Sequence, residues 1–181
     1  MTAVVGLAVD GAVFIGGDAA RTDPSTGDRM VVEQPKVFAM GDLLIGAAGS
    51  FRVQNLLRYQ LRLPKLSATE DPTKYLVTHF ARKLRTLLHN SGSTSHQTAG
   101  DQHEADTLVG LRGRLFVVQG DFSVVEPASG MAAVGSGSCY ALGALHANGR
   151  RKPEARLYEA LNAAATYHAT VTPPFTVLKS A

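Results

Sequence analysis

The period of the apolar residues switches four times along this chain, and the order of the switches restricts the folds open to it. The opening stretch alternates: "TAVVGLAV", a turn at Asp10-Gly11, then "AVFIGGD". A turn-type dipeptide between two β-rich runs marks a hairpin. The turn-rich "RTDPSTGDRM" leads into "PKVFAMGDLLIGAAGS", two further short strands about Gly41-Asp42. Helical spacing follows. In "SFRVQNLLRYQLRL" Phe51, Asn55, Leu56, Tyr59 and Leu63 fall on one face, and Pro64 stops the helix. A second helix is expected from Asp71 to Asn90. Asp71 caps it, Pro72 sits in its first turn, and Leu76, Phe80, Leu84, Leu87 and Leu88 keep the period.

The polar stretch 91–106, "SGSTSHQTAGDQHEAD", is expected as a flexible loop, with His96 and His103 solvated. Strands return with "TLVGL", "RLFVVQ", "FSVVE" and "MAAVG", joined by turns at Arg112-Gly113 and Gly120-Asp121. Two helices come next, one from near Ser138 and one from Pro153-Glu154, and "FTVLKS" is a last strand. Strand runs and helix runs are segregated. This argues against βαβ alternation and for a layered α+β domain, with antiparallel sheets between helical layers. A chain of 181 residues suits one such domain, 1–181, with a sizeable core.

Composition narrows the function. With 45% apolar and 18% charged residues the chain is globular in type. A net charge of +3, scattered rather than clustered, speaks against nucleic acid as a partner. The single cysteine, Cys139, rules out an internal disulfide framework and a cysteine-cluster metal site. No apolar run reaches membrane length, and no leader pattern opens the chain, so a cytoplasmic location without a membrane partner is expected. The sequence holds no GxSxG elbow, HExxH, Walker loop or CxxC.

Thr2 stands directly behind Met1, and methionine is normally trimmed before a small residue. A threonine freed in this way combines a nucleophile with a base. Its hydroxyl attacks, and its α-amine, which titrates near ~7.7–8.0, takes the proton. Such a site needs a cation beside the hydroxyl, a carboxylate to hold the cation and a backbone N–H for the oxyanion. Lys36, Asp18 and Gly46 are candidates for these parts. Each also has a plainer reading: Asp18 as a strand-end turn residue, Lys36 as a solvated strand charge, and Gly135-Ser136-Gly137-Ser138 as a turn in which Ser138 caps a helix.

Several segments, in order and over nearly the whole chain, carry a resemblance. They are "TAVVGL", "FIGGDAART", "QPKVFAM", "LIGAAGS" and, most specifically, "AAVGSGSCYALGAL". The chain resembles the proteasome β-type subunits, and most closely the bacterial HslV type that partners an unfoldase ATPase. The resemblance implies a four-layer αββα sandwich, the N-terminal-nucleophile hydrolase fold. It implies a threonine peptidase in which Thr2 is the nucleophile, Lys36 the cation and Asp18 its partner. Ser136 would bond near the Thr2 amine and the Gly46 N–H would serve the oxyanion. The backbone of Thr22 would bind an extended peptide or protein substrate, and Leu44 and Ala48 would line an uncharged, apolar-preferring specificity pocket. Self-assembly into stacked hexameric or heptameric rings and an AAA+ unfoldase partner are implied with it. No cofactor is needed for the chemistry, although Thr166, Ala169 and Thr172 match positions whose carbonyls hold a monovalent or divalent cation in that branch.

One departure stands out. "YHATVTPPF" has no carboxylate where many members carry an acidic residue before a serine-glycine segment, and His168 or Ala169 fills the slot. The expectation is one orienting hydrogen bond fewer near Thr2. Two rival readings remain: a non-catalytic ring-forming scaffold, and an N-terminal-nucleophile amidase acting on a small molecule.

Overall fold

The computed structural model describes residues 2–23, 25–97 and 100–180. Met1, whose removal was expected, lies outside them. The chain opens with β1 (Val4–Val9) and β2 (Ala12–Gly17), the hairpin foreseen at Asp10-Gly11. A small hairpin, β3 (Ala20–Thr22) and β4 (Arg29–Val31), follows within the stretch read as turns. Next come β5 (Val37–Met40), β6 (Leu43–Gly49) and α1 (Phe51–Tyr59).

The second helix has three parts: α2 (Pro72–Tyr75), a π-helical stretch Leu76–Ala81, and α3 (Arg82–Asn90). Asp71 caps it as expected, its side chain accepting from Lys74 N at 2.9 Å. The chain continues through β7 (Ser95–Gln97), β8 (Gly100–Gln102), β9 (Ala105–Leu111), β10 (Arg114–Val118), β11 (Val124–Val125) and β12 (Met131–Val134). Helices α4 (Ser138–Ala147) and α5 (Pro153–Tyr167) precede the last strand, β13 (Thr176–Lys179).

Two main sheets form, ordered β12-β1-β2-β13 and β11-β10-β9-β6-β5. Among the described residues every strand pairing is antiparallel, the mixed α and β architecture that the segregated periods imply. Alternation along the strands divides the apolar residues into three clusters. Val5, Leu7 and Phe14 pack with Leu145, Leu157 and Leu161 of α4 and α5. Ile45, Val109 and Phe116 pack with Leu57, Phe80, Leu84 and Leu88 of α1, the π stretch and α3. Val4, Val13, Ile15, Val37, Leu44 and Leu108 fill the space between the sheets. Successive residues on β6 therefore serve two different cores.

Four local expectations change. Helix α1 buries Val53, Gln54, Leu56 and Leu57, while Tyr59 is 60% exposed. The helix also ends before Pro64, because Gln60 and Leu61 N–H both donate to Leu56 O and close its last turn. Within 91–106, β7 pairs with β8 in the register Ser95 to Gln102, so part of the expected loop is strand. The cap of α4 is Gly137, and Ser138 is the first helical residue.

Candidate active site

Three polar residues are fully buried at one end of the inter-sheet space: Thr2 at 0%, Asp18 at 1% and Lys36 at 1% exposure. The hairpin register places the first two. Val4 pairs with Gly17, so Thr2, just ahead of β1, and Asp18, just after β2, meet at the same sheet end. Lys36 comes from the other sheet. It precedes Val37, whose Cγ2 would lie 3.0 Å from a Cβ on Gly17, so the bare Gly17 backbone lets the sheets close on one another.

Lys36 Nζ donates to Thr2 Oγ1 at 2.8 Å and to Asp18 Oδ1 at 2.8 Å. The Asp18 carboxylate also accepts from Ala3 N (3.0 Å), Ala20 N (2.9 Å) and Thr172 N (3.4 Å). Its charge is thus met on both oxygens, as a buried carboxylate requires. Burial pushes the Lys36 ammonium below its usual range, and the charge and hydrogen bond of Asp18 pull the other way. A cation in hydrogen-bond reach of a hydroxyl stabilises the alkoxide of that hydroxyl.

The Thr2 backbone is held by the segment before α4. Gly137 N donates to Thr2 O at 3.1 Å, and Thr2 N donates to Ser136 Oγ at 3.2 Å. Gly135 makes this approach possible: its φ is +92°, and a Cβ there would lie 2.3 Å from Thr2 O. The contacts continue outward. Ser136 Oγ is 3.1 Å from Thr170 Oγ1, which is 2.9 Å from His168 Nδ1. The hydrogen bond expected to be missing near Thr2 is therefore supplied, by Thr170 and His168 in place of a carboxylate.

Two strand ends face the site. Arg21 pairs with Met30 and Asp23 N donates to Asp28 O, so odd-numbered amides of this hairpin point to β4. The N–H and C=O of Thr22 point the other way, to an open edge. On β6, Ala47 N donates to Lys36 O, so Gly49 N–H points to the same side, past the last residue of β5 that pairs with β6. Gly49 has φ +106°, and a Cβ there would lie 2.1 Å from Glu104 O. A cleft of about 240 Å³ opens beside it, lined by Ala48, Gly49, His103, Glu104, Asp106 and Gly135 among others.

No protein-family model and no curated protein matches the chain. Solved structures do. BPH from Thiobacillus denitrificans, in complex with epoxomicin, superposes with a TM-score of 0.79 at 23% identity, over 98% of this chain and 97% of that one. Eukaryotic HslV from Trypanosoma brucei gives 0.69 at 19% identity, over 98% of each chain. The helical assembly of the Anbu complex from Pseudomonas aeruginosa gives 0.67 at 18%, over 98% of this chain and 80% of that one. The chain has the HslV-like, proteasome β-type fold. Among the described residues no helix is long and apolar enough to cross a membrane.

Within this HslV-like fold the expected residues divide. Thr2, Asp18, Lys36 and Ser136 converge, Thr22 presents its backbone at an open edge, and Ala48 lines the cleft. Gly46 does not join them. Its N–H points to β9, where it pairs with Leu108, and a Cβ on it would lie 2.6 Å from Val4 Cγ1 and 2.7 Å from Ile15 Cγ2. It is a close-packing position between the sheets, not an oxyanion donor. Leu44 also faces the inter-sheet core, about 13 Å along the strand from Ala48. The cleft itself is not uncharged, since Glu104 and Asp106 line it.

Two of the three carbonyls expected at a cation accept hydrogen bonds from the protein, Ala169 O from Arg29 Nη1 at 2.8 Å and Thr172 O from Ala19 N at 2.9 Å. Among the described residues no group of three or more His, Cys, Asp or Glu could hold a metal ion. A larger cavity, about 420 Å³, lies among Met40, Arg58, Leu61, Pro64 and Tyr75. It contains none of Thr2, Asp18 and Lys36, so convergent polar groups, not volume, mark the site.

Sequence reasoning missed Gly49, Thr170 and His103. Gly49 and Thr170 lie inside the segments "LIGAAGS" and "YHATVTPPF" already singled out, and strand alternation was the available signal for Gly49. His103, read as solvated, is 7% exposed and packs on Phe122, the rings tilted with centroids 4.7 Å apart.

Proposed function

We propose that this chain is a threonine-type N-terminal-nucleophile peptidase subunit of a self-compartmentalising ring protease. The observation that carries the proposal is one buried ammonium, Lys36, shared between the Thr2 hydroxyl and the Asp18 carboxylate. Removal of Met1 turns the Thr2 nitrogen into an α-amine. Thr2 Oγ1 then attacks a peptide carbonyl while its proton passes to that amine, directly or through water. The Lys36 charge stabilises the alkoxide, and the Gly49 N–H receives the oxyanion. Collapse breaks the C–N bond, the leaving amine takes the proton, and an ester on Thr2 remains. Water, deprotonated by the α-amine, hydrolyses the ester. No cofactor enters these steps.

The peptide lies extended along the Thr22 edge as an added strand. The three apolar clusters suit a four-layer αββα sandwich forming a single domain. Enclosure of an N-terminal nucleophile in stacked rings keeps other proteins from it, and an AAA+ ATPase would deliver unfolded chains. Closed symmetric rings of identical chains are an ordinary mode of assembly, and the helical assembly of the Anbu complex supports contacts between copies of the chain.

The test combines intact mass with covalent labelling by a peptide epoxyketone, a choice supported by the epoxomicin complex of the Thiobacillus protein. We expect loss of Met1, one label per chain on Thr2, and none on Thr2→Ala. Trimmed protein that no electrophilic peptide labels, in a ring-sized particle, would identify a scaffold. A monomer by light scattering that is labelled would favour an amidase of small molecules.

A further inference from the structure

Helix α1 buries a glutamine beside Val53, Leu56 and Leu57. Gln54 is 3% exposed, on the side that α1 turns to the apolar core. A primary amide in such a place gives up its water, so it is tolerated where it meets a polar partner. Its Nε2 donates to Gly49 O at 3.4 Å. A carbonyl oxygen accepts and does not donate, so the NH2 end of the side chain is the end that faces it.

Gly49 is the residue whose N–H receives the oxyanion in the proposed mechanism. The peptide between Gly49 and Ser50 is fastened at both edges. Ser50 N donates to Glu104 O at 2.8 Å, and Gly49 O accepts from Gln54. A peptide is planar, so bonds at its two opposite edges fix its plane. On the other side of Gly49, Ala48 pairs with Asp106 of β9. The Gly49 N–H therefore sits between two anchored pieces of backbone. The joint between them is Gly49 itself, at φ +106°, a conformation open to glycine and strained for other residues. A joint with that freedom keeps its N–H in one direction when its neighbours are held. The same helix start borders the reacting atoms: the ring of Phe51, the first residue of α1, lies 5.9 Å from Lys36 Nζ.

We propose that Gln54 is a positioning residue for the oxyanion donor: by holding the Gly49 carbonyl it fixes the direction of the Gly49 N–H. The proposal rests on the peptidase reading and on Gly49 as the oxyanion donor within it. Gln54 acts through Gly49 and not on the substrate. Its bond is at the long end of the hydrogen-bond range. Losing it should loosen Gly49 and leave α1 folded, since the Gln54 backbone N–H still donates to Ser50 O at 3.1 Å.

The experiment labels trimmed wild type, Gln54→Met and Gln54→Glu with a peptide epoxyketone over a range of concentrations. It yields a rate at saturation and a half-saturating concentration. Methionine keeps the length without the donor and suits an apolar face. Glutamate keeps the shape and turns an oxygen toward Gly49 O in place of an N–H. The saturating rate should fall about tenfold in Gln54→Met and further in Gln54→Glu, toward the ~10²–10³-fold loss of a missing oxyanion donor. The half-saturating concentration should stay within about twofold of wild type, because the Thr22 edge that holds the peptide is unchanged. A role in stability alone would lower the urea midpoint and leave the saturating rate of the folded protein where it was. That result, or a Gln54→Glu that labels faster than Gln54→Met, overturns the proposal. A second readout does not need activity. The Ser50 N–H lies on the same peptide as the Gly49 carbonyl, and its hydrogen exchange, read by mass spectrometry, should be several-fold faster in Gln54→Met. Unchanged exchange overturns the proposal whether or not the protein labels. A trimmed wild type that never labels, with Ser50 exchange quickened in Gln54→Met, would overturn the peptidase reading and leave the hold on Gly49 established.

Discussion

Lys36 Nζ lies 2.8 Å from Thr2 Oγ1 and 2.8 Å from Asp18 Oδ1, so one buried ammonium ties the end of the first sheet to the second. Removing it should leave a hydroxyl with nothing to stabilise its alkoxide. Lys36→Ala is expected to slow epoxyketone labelling of Thr2 by about 10²-fold or more. Lys36→Arg should not restore it, because a planar guanidinium cannot take the place of a compact ammonium between two oxygens in a fully buried site. Labelling of either variant within tenfold of wild type would remove Lys36 from the mechanism.

Gly46 and Gly49 stand on the same strand but do different work, and alanine at each should separate the two. At Gly46 the new methyl meets Val4 and Ile15 side chains at 2.6 and 2.7 Å, an overpacking that costs about 1–3 kcal/mol. Gly46→Ala should lower the urea midpoint while the folded fraction still labels. At Gly49 the methyl would sit 2.1 Å from the Glu104 carbonyl, and φ is +106°. Gly49→Ala must move this backbone, so labelling should fall even where circular dichroism shows the fold intact. Loss of labelling in folded Gly46→Ala with full labelling of Gly49→Ala would reverse the assignment.

These two glycines also show how far the sequence was legible. The alternation of β1, β2, β6 and β9 and the periods of α3 and α5 carried the element order, because burial on one face writes itself into spacing. Thr2, Asp18 and Lys36 were legible because each is a polar residue that an apolar run would otherwise exclude. Gly46 and Gly49 differ only in which side of the strand the amide faces, and that depends on where β5 stops pairing. Leu44 shares its strand face with Ala48 and failed by its distance along the strand, which alternation does not mark. The β3–β4 hairpin was hidden in a turn-rich segment, since "RTDPSTGDRM" has no apolar alternation to mark three-residue strands. His168 and Thr170 became meaningful only once the end of α5 was folded back against Ser136.

The cleft beside Gly49 carries the carboxylates of Glu104 and Asp106. A substrate side chain entering it should do better with a positive charge. Against a peptide panel the protein should cleave sequences with Lys or Arg at the position filling this cleft faster than those with Asp or Glu. Glu104→Gln combined with Asp106→Asn should shrink that preference several-fold and make it less dependent on salt. A preference for acidic residues, or one that the double variant leaves untouched, would show that another surface selects the side chain.

His103 should make the fold sensitive to acid. Its ring is buried against Phe122. Burial pushes its pKa below the ordinary 6.5, with Asp106, the Gln119 backbone and Asp121 opposing. The folded state therefore binds its proton at lower pH than the unfolded state. Below 6.5 the unfolded chain gains a proton that the folded chain does not, so stability falls as pH drops from 6.5 toward the folded value and is fully present above it. His103→Phe should flatten this part of a urea-midpoint profile between pH 7 and 5. An equally steep fall in the variant would place the acid sensitivity elsewhere.

The buried ion pair should respond unequally to the loss of its two members. Without Lys36, the Asp18 carboxylate keeps three backbone donors, from Ala3, Ala20 and Thr172. Without Asp18, the Lys36 ammonium keeps, among the described residues, one hydrogen bond, to Thr2 Oγ1. An uncompensated buried charge destabilises by about 3–5 kcal/mol, whereas an apolar side chain of similar volume is often tolerated. Asp18→Ala should therefore lower stability by about that amount, while Lys36→Met should lower it clearly less. Both variants should lose labelling, so only denaturation distinguishes them. If Lys36→Met proved the more destabilised of the two, the three backbone donors would not be enough to hold the carboxylate. Asp18 would then depend on Lys36 as much as Lys36 depends on it.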